Sequence, residues 1–289
     1  MTPLLQVDNL IKSYPSRKNL FGRVTQRTVV TNNVSFDLQR GETLGIVGES
    51  GAGKSTIGRL ILRLIEADSG SIDFDGHSVR DLSRKQLRSI RQRAQMIFQD
   101  PFSSLDPHMS IGDAVGEPLM MHLGLQGRAR EEAVIELLGR VGLRADQFGK
   151  YPREFSGGQL QRIAIARALA TSPDMIVCDE PVAALDVSIQ AQVLNLLIDL
   201  QRERNLSYIF ISHDLSLVRF LAHRVAVMRE GEIVEIGDTE EIFSAPKHPY
   251  TKTLLEAIPD PRSRYLGTTR TDDAPGVVHS GAAMKELQW

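Results

Sequence analysis

The chain has 289 residues, of which 42% are hydrophobic and 24% are charged, which is close to the average for a globular protein. This length allows one or two domains with a sizeable core, and the composition excludes collagen-like, coiled-coil and wholly disordered chains. Because 34 basic residues face 36 acidic residues and give a formal charge of −2, the sequence does not have the basic bias of a general nucleic-acid binder.

The chain contains one cysteine, Cys178, which lies in the apolar run Met175–Cys178. One cysteine cannot close an intrachain disulfide, so we expect a small buried residue in a reducing compartment rather than a reactive thiol. The first residues show no signal-peptide pattern. No apolar run approaches the roughly 18 residues that span a bilayer, so we expect that the chain itself does not cross a membrane.

Strand-like alternation opens the chain. Leu5 and Val7 alternate with polar residues, and a similar alternation runs from Val34 to Leu38, as in half-buried strands. Residues 15–27 between them are basic and rich in turn-forming residues, which indicates a surface loop. This loop is either a solvated insertion or a contact with a partner or with lipid headgroups.

A short apolar strand, Glu42–Val47, leads into a glycine-rich turn and then into a helix. Apolar residues at i, i+3, i+4, i+7 and i+8 predict this helix; they are Ile57, Leu60, Ile61, Leu64 and Ile65. After it we expect a strand at Ser71–Phe74, a charged exposed helix at Leu82–Gln92 and a strand at Ala94–Phe98.

Prolines and glycines break the segment from Asp100 to about Arg153 into short helices, of which Arg130–Val141 is the clearest. We interpret this segment as a helical insert. Two apolar strands, Met175–Cys178 and Tyr208–Ile211, then flank a helix near Ser188–Arg204. Alternation of strand, helix and strand predicts a parallel sheet that is covered by helices.

The last predicted elements are two strands around Gly231, Val225–Met228 and Ile233–Ile236, which we expect to form a hairpin. Order signals fade after about Pro261, and the polar segment Thr268–Ala274 is typical of a mobile tail.

The turn after the strand Glu42–Val47 carries the clearest chemical motif. Residues Gly48 to Ser55 fit G-x-x-x-x-G-K-[ST], between a strand and an amphipathic helix as the motif requires. The glycines let successive N–H groups point at phosphate oxygens, and the helix N-terminus adds its positive dipole end. Lys54 can reach the β- and γ-phosphates, and the Ser55 hydroxyl can bind Mg²⁺. The alternative is a chance glycine turn.

A magnesium site also needs a carboxylate at the end of a neighbouring strand. Asp179 follows the apolar run Met175–Cys178, and Glu180 comes next. Adjacent side chains on an extended segment point in different directions, so one carboxylate can face the metal and the other an attacking water. The alternative is a solvated acidic pair.

A third motif narrows the class of nucleotidase. Residues Phe155 to Arg162 resemble the LSGGQ signature of the ABC ATPase family, with Phe155 in place of the usual leucine. Ser156 and the two glycines stand at the predicted start of a helix, Leu160–Ala170, where free N–H groups can meet an anion. Other positions also resemble this family: Tyr14, the aromatic residue under adenine; Gln99, the Q-loop glutamine; Asp186, of the D-loop; and His213, the switch histidine.

Three of these positions also have an ordinary structural explanation: Tyr14 as a strand-end residue, Gln99 as a polar loop residue and His213 as a core or capping residue. In addition, Ala184 stands where the family often has serine, which puts one hydrogen bond across the dimer in doubt.

The resemblance implies an α/β fold: a P-loop NTPase (RecA-like) core with an antiparallel β subdomain and an inserted helical subdomain. Residues 1–258 would form the nucleotide-binding domain, with the helical subdomain at about residues 100–158. Residues 259–289 would form a C-terminal extension that is partly disordered.

The resemblance also implies ATP and Mg²⁺ as cofactors and assigns roles to named residues. The nucleotide-binding set is Tyr14, Gly48, Glu49, Ser50, Gly51, Ala52, Gly53, Lys54, Ser55 and Thr56. The set that acts on the nucleotide of a partner cassette is Ser156, Gly157, Gly158, Gln159 and Asp186. Ser55, Gln99 and Asp179 would bind the metal, and Glu180, His213, Gln99 and Lys54 would serve catalysis.

The segments from Gln99 to Pro107, from Asp186 to Gln192 and from Lys247 to Thr251 resemble the peptide and nickel importer ATPases. This resemblance implies a cytoplasmic subunit at the inner membrane that energises a bacterial importer of oligopeptides or dipeptides. A nickel or other small-solute importer is the alternative. No cysteine follows Cys178, so the iron–sulfur cluster of some relatives is not expected.

The implied partners are a second ABC ATPase subunit, either identical or a paralogue, two transmembrane permease subunits that dock on the helical insert and, indirectly, a solute-binding protein. No nucleic-acid partner is expected. An ABC-type ATPase that acts on DNA or ribosomes remains the alternative of another class.

Overall fold

The computed structural model describes residues 2–18 and 24–257. Its strands are β1 (Leu5–Lys18), β2 (Val24–Leu38), β3 (Thr43–Val47), β4 (Ser69–Phe74), β5 (His77–Ser78), β6 (Ala94–Ile97), β7 (Met175–Asp179), β8 (Ser207–Ile211), β9 (Arg224–Arg229) and β10 (Glu232–Asp238). Its helices are α1 (Lys54–Ile61), α2 (Arg84–Arg93), α3 (Pro101–Ser104), α4 (Ile111–Leu123), α5 (Gly127–Arg140), α6 (Gly157–Leu169), α7 (Val187–Arg204), α8 (Leu215–Leu221), α9 (Thr239–Ser244) and α10 (Pro249–Glu256).

The larger sheet has the strand order β10-β9-β3-β8-β7-β6. All its pairs are parallel except the edge pair of β10 with β9. Every residue of β3, β7 and β8 is buried, as in strands that are covered on both faces. The parallel register brings the carboxyl ends of β3, β8, β7 and β6 to one edge, so the residues that follow these strands become neighbours.

A second, antiparallel sheet has the order β2-β1-β4-β5. Its apolar side chains share one buried cluster with α1 and with one face of the larger sheet; Val7, Phe74, Ile57 and Ile46 belong to it. The helices α4, α5 and α6 lie on the opposite face of the larger sheet and contribute Val115, Leu138 and Ile163 to a separate cluster. The parallel core is thus enclosed between the second sheet and a helical region.

The prediction of a surface loop at residues 15–27 is wrong for those residues of the segment that the structure describes. β1 continues to Lys18 and β2 begins at Val24, with pairs such as Pro15 opposite Arg27. The guanidinium Nε of Arg27 donates to Ser13 Oγ at 2.7 Å, and Ser13 Oγ donates to Asp68 at 2.6 Å. These cross-strand contacts extend the hairpin into a segment whose composition indicates turns.

The apolar stripe after the phosphate motif is only partly helical. α1 ends at Ile61, and Arg63 adopts a left-handed conformation with φ of 47°. The Arg63 guanidinium donates to Leu82 O at 2.6 Å, which holds this turn in place. Leu64 and Ile65 therefore lie beyond the helix, and Leu64 is exposed.

The other predicted elements occur with shifts of a few residues at their ends, and the helical insert is present between β6 and β7. Cys178 is completely buried, as expected. The predicted C-terminal tail lies outside the described residues. Within residues 2–18 and 24–257, no helix has both the length and the apolar character needed to cross a bilayer.

Candidate functional site

The loop between β3 and α1 depends on glycine. Gly48 has φ of 149°, and a Cβ there would lie 2.2 Å from the carbonyl oxygen of Met228. Gly53 has φ of 100°, and a Cβ there would lie 2.3 Å from the carbonyl oxygen of Val30. Any side chain would therefore meet a backbone atom. These close approaches fix the curl of the loop.

The first turn of α1 is open to a ligand, because its N-cap residue is Gly53 and no side chain caps the helix. Lys54 is buried, and its Nζ donates to the carbonyl oxygens of Gly48 at 2.8 Å and Glu49 at 2.9 Å. Burial lowers the pKa of Lys54, and the nearby carboxylate of Glu180 opposes this shift. The ammonium thus lies inside the same loop whose N–H groups can bind phosphate.

Asp179 ends β7 and is buried, with an exposed fraction of 2%. The Ser55 hydroxyl donates to Asp179 Oδ1 at 2.6 Å. Burial raises the pKa of Asp179, although the bond from Ser55 and the charge of Arg59 act against that rise. A hydroxyl and a carboxylate in contact are oxygen ligands of the kind that Mg²⁺ takes beside phosphate, so the residues present fit this metal.

The backbone of Glu180, the residue after β7, does not continue the extended conformation of the strand. Its φ is 48°, a conformation that is uncommon for a residue with a side chain, and its N–H donates to Ile211 O at 3.0 Å. The carboxylate Oε2 lies 3.0 Å from His213 Nδ1 and accepts from Gln99 Nε2 at 3.3 Å. Side chains that follow β6, β7 and β8 therefore meet at one carboxylate oxygen.

These residues line a cleft of about 480 Å³ above the phosphate motif; its lining comprises Val30, Ser50, Gly51, Gly53, Lys54, Ser55, Thr56, Gln99, Glu180 and His213. Val30, on β2, is a residue that the sequence analysis missed, because a valine within a strand pattern carries no motif. Its carbonyl oxygen is the atom that approaches Gly53 closely, so a strand of the antiparallel sheet forms one wall of the cleft.

Other predicted nucleotide-binding residues lie elsewhere. Glu49 and Ala52 line a neighbouring cleft of about 470 Å³ together with Tyr250. Tyr14 is 39% exposed on β1, with Lys12 Nζ 5.4 Å from its ring centre, and it does not line the first cleft. An aromatic face beside the strand is present, and its role under adenine stays a prediction.

The signature residues are also outside this cleft. Ser156 caps α6: its Oγ accepts from Gln159 N–H at 3.4 Å, while Gln159 Oε1 accepts from Ser156 N–H at 3.0 Å. A Cβ on Gly158 would lie 2.5 Å from Ile189 Cγ2 on α7. Asp186 is exposed at the start of α7. The signature residues and Asp186 therefore do not form part of the chain's own phosphate cleft.

Comparison with protein families gives two matches. The model described as "ABC transporter" matches residues 31–183, and the model described as "Oligopeptide/dipeptide transporter, C-terminal region" matches residues 234–281.

Among curated relatives, the glutathione import ATP-binding protein GsiA of Escherichia coli (strain K12) is 50% identical over 280 residues, which cover 96% of this chain and 45% of that protein. The protein of the same name from Pectobacterium atrosepticum is 50% identical over 264 residues, which cover 91% of this chain and 42% of that protein. The chain spans about half the length of the curated relatives it matches.

Solved structures are similar over most of the chain. A dimeric bacterial ABC transporter cassette has a TM-score of 0.73 and 28% identity and covers 81% of this chain and 98% of its own. The cbiO1 protein of Clostridium perfringens, part of the cbiONQ transporter complex, has a TM-score of 0.73 and 27% identity. The match covers 92% of this chain and 99% of the cbiO1 chain. The predicted fold class is confirmed.

Proposed function

This chain belongs to the ABC transporter family, and on that basis we propose that it is the ATP-hydrolysing subunit of a bacterial importer for peptides or similar small solutes. The observation that carries the proposal is the meeting of Gln99, Glu180 and His213 at the mouth of the phosphate-loop cleft. A loop that only held a phosphate would not need a carboxylate, an imidazole and an amide in mutual contact.

In this proposal residues 48–56 hold the phosphates of ATP through loop N–H groups and the uncapped start of α1. The Lys54 ammonium exchanges its two carbonyl partners for the β- and γ-phosphate oxygens. Tyr14 offers its exposed ring to adenine, a contact worth roughly 0.5–1.5 kcal/mol for aromatic pairs.

The Ser55 hydroxyl and the Asp179 carboxylate would hold the metal, with Gln99 as the third protein contact. Bound Mg²⁺ would supply positive charge beside the β- and γ-phosphate oxygens. The raised pKa of Asp179 supports this role, because a buried carboxylate is stabilised by a cation.

Glu180 would accept a hydrogen bond from the attacking water and take its proton. Its Oε2 already contacts His213 Nδ1, so the other ring nitrogen of His213 is left to face the γ-phosphate. Together with Lys54, His213 would stabilise the charge that develops on the transferred phosphoryl group. The Gln99 side-chain amide donates to the same carboxylate and would keep it oriented toward the attacking water.

A second cassette, identical or paralogous, would complete the site. Ser156, Gly157, Gly158, Gln159 and Asp186 lie away from the chain's own cleft, and we propose that they cover the nucleotide of the partner. One of the similar solved structures is a dimeric cassette, which supports this arrangement.

The permease would dock between the core and the helical region. A groove of about 350 Å³ there is lined by Phe98, Glu117, Met121 and Arg167 among others. It adjoins Gln99, and Met121 on its rim is 65% exposed. Docking in this groove would connect the γ-phosphate contact at Gln99 to two membrane subunits, and would place the chain at the cytoplasmic face of the inner membrane.

The match of residues 234–281 to the oligopeptide/dipeptide region supports a peptide-like solute. The relatives are named for import of glutathione, which is itself a tripeptide. Nickel or another small solute is the alternative. In either case a separate solute-binding protein would deliver the cargo.

The test is reconstitution. The chain is copurified with its candidate permeases and solute-binding protein in vesicles, and ATP hydrolysis is measured with dipeptides, glutathione or Ni²⁺. We expect peptide-stimulated hydrolysis and uptake. Hydrolysis stimulated by nucleic acid, without any membrane partner, would instead support the alternative class of ABC ATPase.

A further inference from the structure

The second cleft, on the outer side of the phosphate loop, joins that loop to the C-terminal helix α10. It is lined by Glu49, Ser50, Gly51 and Ala52 from the loop and by Pro249, Tyr250 and Thr253 from the helix, with Arg229 and Glu230 between them. Tyr250 crosses the cleft, and it is 8% exposed.

The Tyr250 hydroxyl oxygen accepts a hydrogen bond from the Glu49 backbone N–H at 3.4 Å. This distance is long for an N–H···O hydrogen bond, so the bond is a weak one. The carbonyl oxygen of the same residue, Glu49, accepts from Lys54 Nζ at 2.9 Å and from Ala52 N–H at 3.2 Å. One residue of the loop is thus held by Tyr250 from outside and by Lys54 from inside.

Tyr250 is itself well fixed. The Arg229 guanidinium lies 5.0 Å from its ring centre. The carboxylate of Glu235, on β10, accepts from the backbone N–H groups of Lys247 at 2.7 Å and His248 at 3.0 Å, which ties the start of α10 to the sheet. Burial raises the pKa of Tyr250, so its hydroxyl is protonated at neutral pH and its oxygen lone pairs can accept.

From this geometry we infer that Tyr250 is a positioning residue for nucleotide binding, which holds the phosphate loop through Glu49 and so couples the C-terminal helix to the nucleotide. The inference rests on the proposed binding of ATP at this loop. It gives a role to the Lys247–Thr251 segment, which the catalytic arrangement does not use.

The test uses Tyr250→Phe and Tyr250→Leu in the full chain, assembled with its transporter partners. Tyr250→Phe keeps the ring under Arg229 and removes the acceptor, and we expect the KM for ATP to rise two- to fivefold while kcat stays within twofold. Tyr250→Leu also loses the ring and should raise KM further. The Kd of the isolated chain for ATP, measured by calorimetry, should change in parallel.

Tyr208→Phe is the matched control. Its hydroxyl donates to Leu197 O at 3.1 Å, and the whole side chain is buried in the core and lines neither cleft of the phosphate loop. It loses one hydroxyl hydrogen bond as Tyr250→Phe does, so we expect a Tm lower by about 2–4 °C and an unchanged KM for ATP.

An unchanged KM in Tyr250→Phe would overturn the inference. The inference would also be overturned if Tyr250→Phe and Tyr208→Phe both raised the KM for ATP in proportion to their loss of Tm. A general loss of stability would then explain the rise. A wild-type chain that fails to bind ATP would instead contradict the proposed function, and the two failures are therefore distinguishable.

Discussion

Two helices of this protein begin at glycine-rich motifs, yet their N-termini are built differently. α1 follows Gly53, has no side-chain cap and opens into a cleft with Lys54 beside it. α6 follows Ser156, which caps it through the reciprocal bonds with Gln159. The start of α1 therefore has free N–H groups at the cleft, whereas the start of α6 is capped by its own side chains and does not line that cleft.

This difference in capping distinguishes a helix start that lines the chain's own cleft from one that does not. A glycine-rich sequence motif alone does not make this distinction. At α1 the neighbouring strands β6, β7 and β8 end beside the phosphate loop, and Gln99, Glu180 and His213, which follow these strands, line the same cleft. At α6 the nearest structure is α7, whose Ile189 packs on Gly158. No residue of this helix start lines the chain's own phosphate cleft, which is why we propose that it contacts the nucleotide of a second cassette.

Glu180→Gln should produce the largest effect, because it removes a proton acceptor without changing shape. We expect kcat for ATP hydrolysis to fall by about 10²–10⁴-fold, with the Kd for ATP within about threefold of the wild type. Steady-state hydrolysis and calorimetry measure the two quantities. Glu132→Gln, on the exposed face of α5, should change neither. Turnover at the wild-type rate would contradict the role of Glu180.

His213→Ala should be next in size. The imidazole contacts Glu180 and lines the cleft, and it would face charge that grows during the reaction. We expect kcat to fall by about 10–10²-fold and ATP affinity to change much less. His77→Ala, an exposed histidine on β5, is the control. Equal losses in kcat and affinity would make His213 a structural residue.

The parallel core could be predicted from the sequence. The strands β3, β7 and β8 are continuous apolar runs because both of their faces are covered. The phosphate motif then fixed the position of the site at one sheet edge. Gln99 and His213 are distant from Glu180 in the chain and meet it only through the register of parallel strands, so their convergence followed from the family resemblance and not from composition.

Other parts left no signal in the sequence. The hairpin at residues 15–27 is held by contacts of Ser13 and Arg27 with Asp68, a residue 41 positions beyond Arg27. The end of α1 depends on a left-handed arginine where glycine or asparagine is usual. Tyr250 reaches the loop from a C-terminal helix. Each is set by tertiary contacts that local patterns do not encode.

Ser156→Ala tests the second helix start, and α2 provides a closely matched control. Ser83 caps α2 with Gln86 through the same pair of bonds, at the same distances of 3.4 Å and 3.0 Å. Both variants should lose about 1 kcal/mol of folding free energy, measured by urea unfolding. We expect only Ser156→Ala to lower hydrolysis, by about three- to tenfold in the assembled transporter, with unchanged ATP affinity in the isolated chain. Equal hydrolysis by the two variants would reduce Ser156 to a helix cap.

In the folding stability of the ligand-free chain, Asp179→Asn should give a small change, and that change should be a gain. Burial raises the pKa of Asp179 in the folded chain, so its ionised form costs stability at neutral pH, and that cost fades as the pH falls through the raised pKa. Without nucleotide we expect the variant's Tm, measured by thermal unfolding, to exceed the wild-type value at pH 7.5, because the uncharged amide avoids the cost of burying the ionised carboxylate. The gap in Tm should narrow as the pH falls through the raised pKa of Asp179. With Mg²⁺ and ATP present the order should reverse, because only the wild type gains the metal contact. A variant that is less stable than the wild type at pH 7.5 without ligand would contradict this prediction and would show that the contact of Ser55 with Asp179 outweighs the burial of charge.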